Sequence, residues 1–140
     1  MTLLKIIAAS SLVMAAGLAG CSSGNDMDHH MTNANYVPSG NYMHQSSAGQ
    51  IMTTPDGMTV YTFDKDKMGA SSCYGGCAEE WPPVTAAAGA QPFGQMSIVD
   101  RTDGTHQWAY AGRPLYRYDD DDKPGDAEGD NEGGVWHVVK

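Results

Sequence analysis

One phrase occurs twice in this chain: aliphatic, Tyr, any residue, aromatic, Asp, any residue, Asp. It reads VYTFDKD from Val60 and LYRYDDD from Leu115. Tyr61 and Tyr116, Phe63 and Tyr118, Asp64 and Asp119, and Asp66 and Asp121 each stand 55 positions apart. The same offset carries Gly57 onto Gly112 and Trp81 onto Trp136. Each copy therefore runs Gly, strand with Tyr and a second aromatic, two Asp, acidic or Gly-rich loop, Trp. A unit of that size buries little surface alone, so two of them must share one core.

The units read as β structure. In TVYTF the alternation places Val60 and Thr62 on one face and Tyr61 and Phe63 on the other, the pattern of half-buried antiparallel strands. Pro55-Asp56-Gly57 and Thr102-Asp103-Gly104 are turn signals between β-prone runs and predict hairpins. AGRPLYRYD and GGVWHVVK supply two further runs. Helix is confined to one turn in CAEEW, since TAAAGA is short and interrupted by Gly. The expected fold is mostly β: a small antiparallel domain over residues 51–140, built from two related units.

The N-terminus is a leader. Lys5 precedes an apolar run to Gly20 that is short for a membrane span. It closes on LAGC, Leu18 to Cys21, which resembles the bacterial lipobox. That resemblance implies removal of residues 1–20 and lipidation of Cys21, and several acyl chains on one residue give stable membrane anchoring. Ser22, rather than Asp, then implies the outer membrane, facing the periplasm. Residues 21–50 are polar and suit a flexible tether. This stretch carries Met27, His29, His30, Met31, Met43 and His44. The formal net charge is −9, more negative still once Lys5 leaves with the leader. Such a chain does not seek nucleic acid or anionic headgroups. A cation, or an envelope protein with a basic surface, suits it better.

YTFDKD and YRYDDD resemble the Yx(F/W/Y)xxD motif of a group of bacterial secreted repeats and predicted lipoproteins. SSCYGGCAEEWPPV, DGTHQWAYAGRPLYRYDDD and KPGDAEGD read like that family's other blocks, in order, over nearly all of Ile51 to Val139. The resemblance implies export, the repeat and its boundaries. The family's function is unknown, so it implies no reaction.

The motif's chemistry has two readings. Tyr61 with Phe63, and Tyr116 with Tyr118, bring large apolar area with a polar tip to one strand face. Asp64, Asp66, Asp119 and Asp121 follow where the strands end and can accept backbone N–H bonds in turns. Alternatively, pseudo-symmetry gathers the four carboxylates around a hard divalent cation. Acid–base catalysis needs two acids in contrasting environments, and none is evident. Nucleophile elbows, phosphate loops and zinc-protease helices are absent, so the expected role is non-catalytic. Asp119 to Glu132 holds eight of the seventeen acids. An EF-hand frame from Asp120 puts Pro124 fifth and Asn131 twelfth, which rejects it. Weak divalent binding or a solvated acidic loop remains.

Cys73 and Cys77 flank Gly75-Gly76, which lets the sulfurs approach. A disulfide there would contribute roughly 2 kcal/mol on the chain-entropy model. As thiolates the pair suits Cu(I), with Met27, His29, His30 and Met31, or His106 or His137, completing the shell. The alternative function is thus copper handling or thiol–disulfide redox in the periplasm. Against redox, Glu79 and Glu80 are a poor setting for a stabilised thiolate. Trp81 is expected to pack on the core, with Pro82 and Pro83 ending any helix.

Overall fold

Both predicted hairpins form, one closing the meander of the first unit and the other opening that of the second. In the computed structural model, which describes residues 43–46 and 48–140, β1 (Met43–Ser46) pairs with β2 (Gly49–Met52). Beyond the Pro55-Asp56-Gly57 turn, Thr53 bridges Thr59. The Thr54 hydroxyl holds that turn, accepting the Met58 N–H at 3.0 Å. In the second unit β4 (Met96–Asp100) pairs with β5 (His106–Tyr110), and β5 with β6 (Arg113–Pro114). The Asp103 carboxylate fixes the first of these turns by accepting the Thr105 N–H at 3.0 Å. Gly57 and Gly112 occupy equivalent places at φ +85° and +80°, where a side chain would be strained.

After each meander comes the Tyr strand, and here the two units cross. Tyr61 and Tyr116 exchange both backbone hydrogen bonds, at 2.8 and 2.9 Å. β3 (Tyr61–Phe63) pairs with β7 (Trp136–Val138), placing Tyr61 opposite Val138. Tyr116 bridges Pro83, the residue 55 positions before Val138. The Asp64 N–H donates to Val135 O at 2.8 Å, and the Asp119 N–H to Glu80 O at 2.9 Å. Every partnership is thus made twice across an approximate twofold axis, and the Tyr strand of one unit always pairs with the Trp strand of the other. Neither Tyr strand pairs with the Trp strand of its own unit.

The core has two compartments. Val60, Leu115, Met52, Val84, Met96, Trp108 and Val139 pack together on the meander side. Ile51, Tyr61, Tyr116, Cys73, Trp81, Trp136 and Val138 form the aromatic side. Val60 and Tyr61 fall into different compartments, as period-two alternation requires. The strand is not half-buried, however: Thr62 on the meander side is only 5% exposed. Both faces are covered because the meanders and the aromatic layer enclose the strand from opposite sides.

Among the described residues, helix is limited to α1 (Gly76–Glu80) and a 3-10 turn at Glu132–Gly134. The stretch read as a tether, residues 21–50, includes strand residues. Met43–Ser46 and Gly49–Gln50 are strand residues whose backbone groups pair with one another, so the ordered unit starts earlier than the polar composition of MHQS suggests. The leader, Cys21, Met27, His29, His30 and Met31 lie outside the described residues.

Candidate functional site

The repeated motif assembles into a reciprocal exchange. The Tyr61 hydroxyl donates to Asp121 Oδ2 at 2.6 Å, and the Tyr116 hydroxyl donates to Asp66 Oδ2 at 2.6 Å. Each tyrosine therefore bonds the second Asp of the other unit. The remaining carboxylate oxygens hold their own loops: Asp121 Oδ1 accepts the Glu128 N–H at 2.9 Å, and Asp66 Oδ1 accepts the Ser72 N–H at 2.7 Å. Burial, then the carboxylate neighbour, pushes both phenols far above their ordinary pKa, so both stay protonated donors.

Four rings stack above this exchange. Phe63 lies on Trp136 at 4.1 Å, Trp136 on Trp81 at 3.8 Å, and Trp81 on Tyr118 at 4.2 Å between centroids. Tyr61 meets the Trp81 ring edge-on at 5.3 Å, and Tyr116 meets Trp136 likewise at 5.1 Å. The column obeys the same twofold, with Phe63 and Tyr118 at its ends. At the Tyr118 end, burial and the neighbouring Asp120 push the phenol pKa up to about 12. Gly129 is required here by close approach: a Cβ would stand 2.4 Å from the Trp81 ring.

The motif carboxylates Asp64, Asp66 and Asp121 take separate partners. Asp66 and Asp121 are taken by the tyrosines. Asp64 binds Arg113 Nη2 through Oδ1 at 3.1 Å and His137 Nε2 through Oδ2 at 2.7 Å. The His137 hydrogen bond, seconded by Arg113, holds the Asp64 carboxyl below the usual carboxylate range. Asp119 is exposed, and its backbone is bound to Glu80. Among the described residues no three His, Cys, Asp or Glu side chains converge as a metal-binding group. The physical reason is the crossing: the twofold sends each second Asp to a hydroxyl rather than to the other carboxylates. Within the acidic loop, Asp126 accepts the Asp122 and Lys123 N–H groups at 3.1 Å and pairs with Lys123 Nζ at 2.9 Å.

Cys73 and Cys77 form a disulfide, with Cα atoms 5.3 Å apart and Cys73 fully buried. In this state neither sulfur is a thiolate for Cu(I) or for exchange. His106 pairs with Asp100 at 2.8 Å, and His137 with Asp64. The structure brings neither histidine into a group with the cysteines.

Arg101 escaped the sequence reading. It is 4% exposed, donating through Nη1 to Ser71 Oγ at 2.9 Å and Gln107 Oε1 at 2.8 Å, and through Nη2 to Cys73 O at 2.7 Å. The guanidinium also lies 4.3 Å from the Tyr74 ring centroid. Ser71 Oγ is 2.6 Å from the Tyr116 hydroxyl, and Gln107 Nε2 donates to Leu115 O at 2.7 Å. Asp66, Tyr116, Ser71, Arg101 and Gln107 are thus one polar network linking the two units. The lone cation beside the apolar MSIV run is the one sequence signal that points to it.

A second region lies where β3, β6 and β7 meet. A cleft of about 260 Å³ is lined by Thr62, Tyr110, Arg113, His137, Val138 and Lys140, among others.

Comparison with known proteins gives one match. The profile of a family described as a secreted repeat of unknown function fits the chain twice, over residues 43–85 and 97–140. The chain belongs to this family. The first match begins at the first residue of β1, so the secreted repeat comprises the meander, the Tyr strand, the acidic or disulfide loop and the Trp strand together. Two secreted repeats interlock to make the fold seen here. No match was found among the curated proteins or the solved structures.

Proposed function

We propose that this secreted repeat protein is a non-catalytic binding or structural module of the bacterial envelope, tethered through a lipidated Cys21 and held at the outer membrane facing the periplasm. Support for the non-catalytic reading is the reciprocal Tyr61–Asp121 and Tyr116–Asp66 exchange. The first tyrosine and second aspartate of each motif copy are used in joining the two halves, paired as Tyr61–Asp121 and Tyr116–Asp66. The anchoring rests on LAGC at the end of the apolar leader and on the family's description as secreted.

Fractionation of expressing bacteria tests the anchor. The unaltered chain is expected in the outer-membrane fraction and released by detergent, whereas Cys21→Ala is expected outside it. Recovery of the unaltered chain as a soluble periplasmic protein would overturn the proposal.

A further inference from the structure

The twofold explains which residues are architecture, and so singles out those that are not. At the β3–β6–β7 cleft the symmetry breaks. Counterparts 55 positions earlier of Tyr110, Arg113, His137 and Lys140 are Pro55, Met58, Pro82 and Thr85. The polar and cationic groups of this cleft are therefore written once in a chain that writes its framework twice. They also place cations together on a protein of net charge −9.

The floor of the cleft carries the second observation. Thr62 is 5% exposed, lines the cleft, and its hydroxyl makes no hydrogen bond to any described residue. That hydroxyl is open to the cleft and stands free to donate to a bound ligand. Around it the donors are held in place. Asp64 grips Arg113 by Nη2 and His137 by Nε2, leaving the rest of the guanidinium fork and His137 Nδ1 for other partners. Tyr110 and Val139, which belong to the meander-side cluster, supply apolar wall.

We propose that this cleft is a binding site for a small organic carboxylate carrying an aliphatic substituent, of the kind presented by the free C-terminus of a short peptide. The guanidinium fork of Arg113 matches a carboxylate with two parallel N–H···O bonds. Thr62 donates its hydroxyl to the same anion, and Val139 and Tyr110 cover the substituent. The volume of about 260 Å³ falls just below the range of drug-sized pockets, about 300–1,000 Å³. That sets the ligand at the scale of one or two amino acids. The site deepens the reading of the protein as a binding module, while the lipid anchor is tested separately by fractionation.

The experiment is an NMR titration of the isotope-labelled exported protein with three probes: L-alanyl-L-alanine, its C-terminal amide, and inorganic phosphate. Saturable shifts are expected with the dipeptide alone, confined to Thr62, Tyr110, Arg113, His137 and their neighbours. Arg113→Met, which installs the residue of the other unit on an exposed position, is expected to weaken binding about tenfold or more. Arg113→Gln is the reserve if Met perturbs the fold, read from the indole signals of Trp81 and Trp136. Thr62→Val is expected to weaken binding by about threefold to tenfold. The proposal falls if the dipeptide does not saturate, if the amide binds equally, if phosphate alone saturates, or if neither Arg113 variant changes the affinity. Each of those results removes this ligand class and leaves the anchored structural module standing.

Discussion

Trp81 and Trp136 lie face to face, with ring centroids 3.8 Å apart and planes 3° from parallel, at equivalent positions of the two repeats. The contact sits on the twofold and continues into Tyr118 on one side and Phe63 on the other. It joins the end of α1 to the start of β7, two places far apart in sequence.

Because the rings are equivalent, Trp81→Ala and Trp136→Ala are expected to cost similar amounts, about 3–5 kcal/mol each. Urea denaturation of the single and double variants would give a coupling of at least about 0.5 kcal/mol, the aromatic contribution beyond area. Additive losses would mean that the stack is only shared burial.

Removing a tyrosine hydroxyl strands a carboxylate. Tyr61→Phe is expected to lose about 1.5–3 kcal/mol, since Asp121 is 6% exposed and loses its charge-assisted bond. Tyr116→Phe is expected to cost less, because Asp66 is half-exposed and keeps Ser72. Equal losses in chemical denaturation would contradict this ordering.

The same phenols set the alkaline limit. Their folded pKa values are raised, so their contribution is complete below the unfolded value, about 10, and is lost as pH rises towards the folded values. Stability measured from pH 8 to 11 should begin to fall near 10. The fall should be shallower in Tyr61→Phe and shallower again in Tyr61→Phe/Tyr116→Phe. Parallel curves for all three proteins would place the alkaline transition elsewhere.

Reduction of Cys73–Cys77 is expected to lower Tm, in line with roughly 2 kcal/mol for so short a loop. Protein purified without reductant should show neither residue alkylating and no Cu(I) uptake by the pair. Free thiols in that preparation would reopen the copper and redox readings.

Arg101→Met is expected to be the most damaging single change outside the ring stack, about 3–5 kcal/mol, because it leaves Gln107, Ser71 and the Cys73 carbonyl without their cation. Thermal unfolding would check it. A loss below about 1 kcal/mol would show that the network re-forms around water.

Local rules were readable in the sequence. Pro55-Asp56-Gly57 and Thr102-Asp103-Gly104 specify turns by residue chemistry, and Val60 to Phe63 specify faces by period two, so the hairpins and the two compartments follow. The repeat showed which positions are equivalent. It did not show which copy serves as partner: Asp66 lies five residues from Tyr61 and reads as its local turn, yet it bonds Tyr116. That choice belongs to topology, through the pairing of β3 with β7. Arg101 and the cleft were hidden for a similar reason. A cation near a strand reads as solvated, and Thr62, Arg113 and His137 meet only after the chain has crossed.

The crossing also fixes an order of events in time. A chain passing through a membrane emerges N-terminal half first. Tyr61 then has no Tyr116 or Val138 to pair with, and Trp81 has no ring to stack on, until the final residues have followed. The first repeat must therefore wait with its strand edge and indole open. Its own loop is meanwhile closed by the one cross-link that needs nothing from the second half, Cys73 to Cys77. The repeat that emerges first is the one that carries the disulfide.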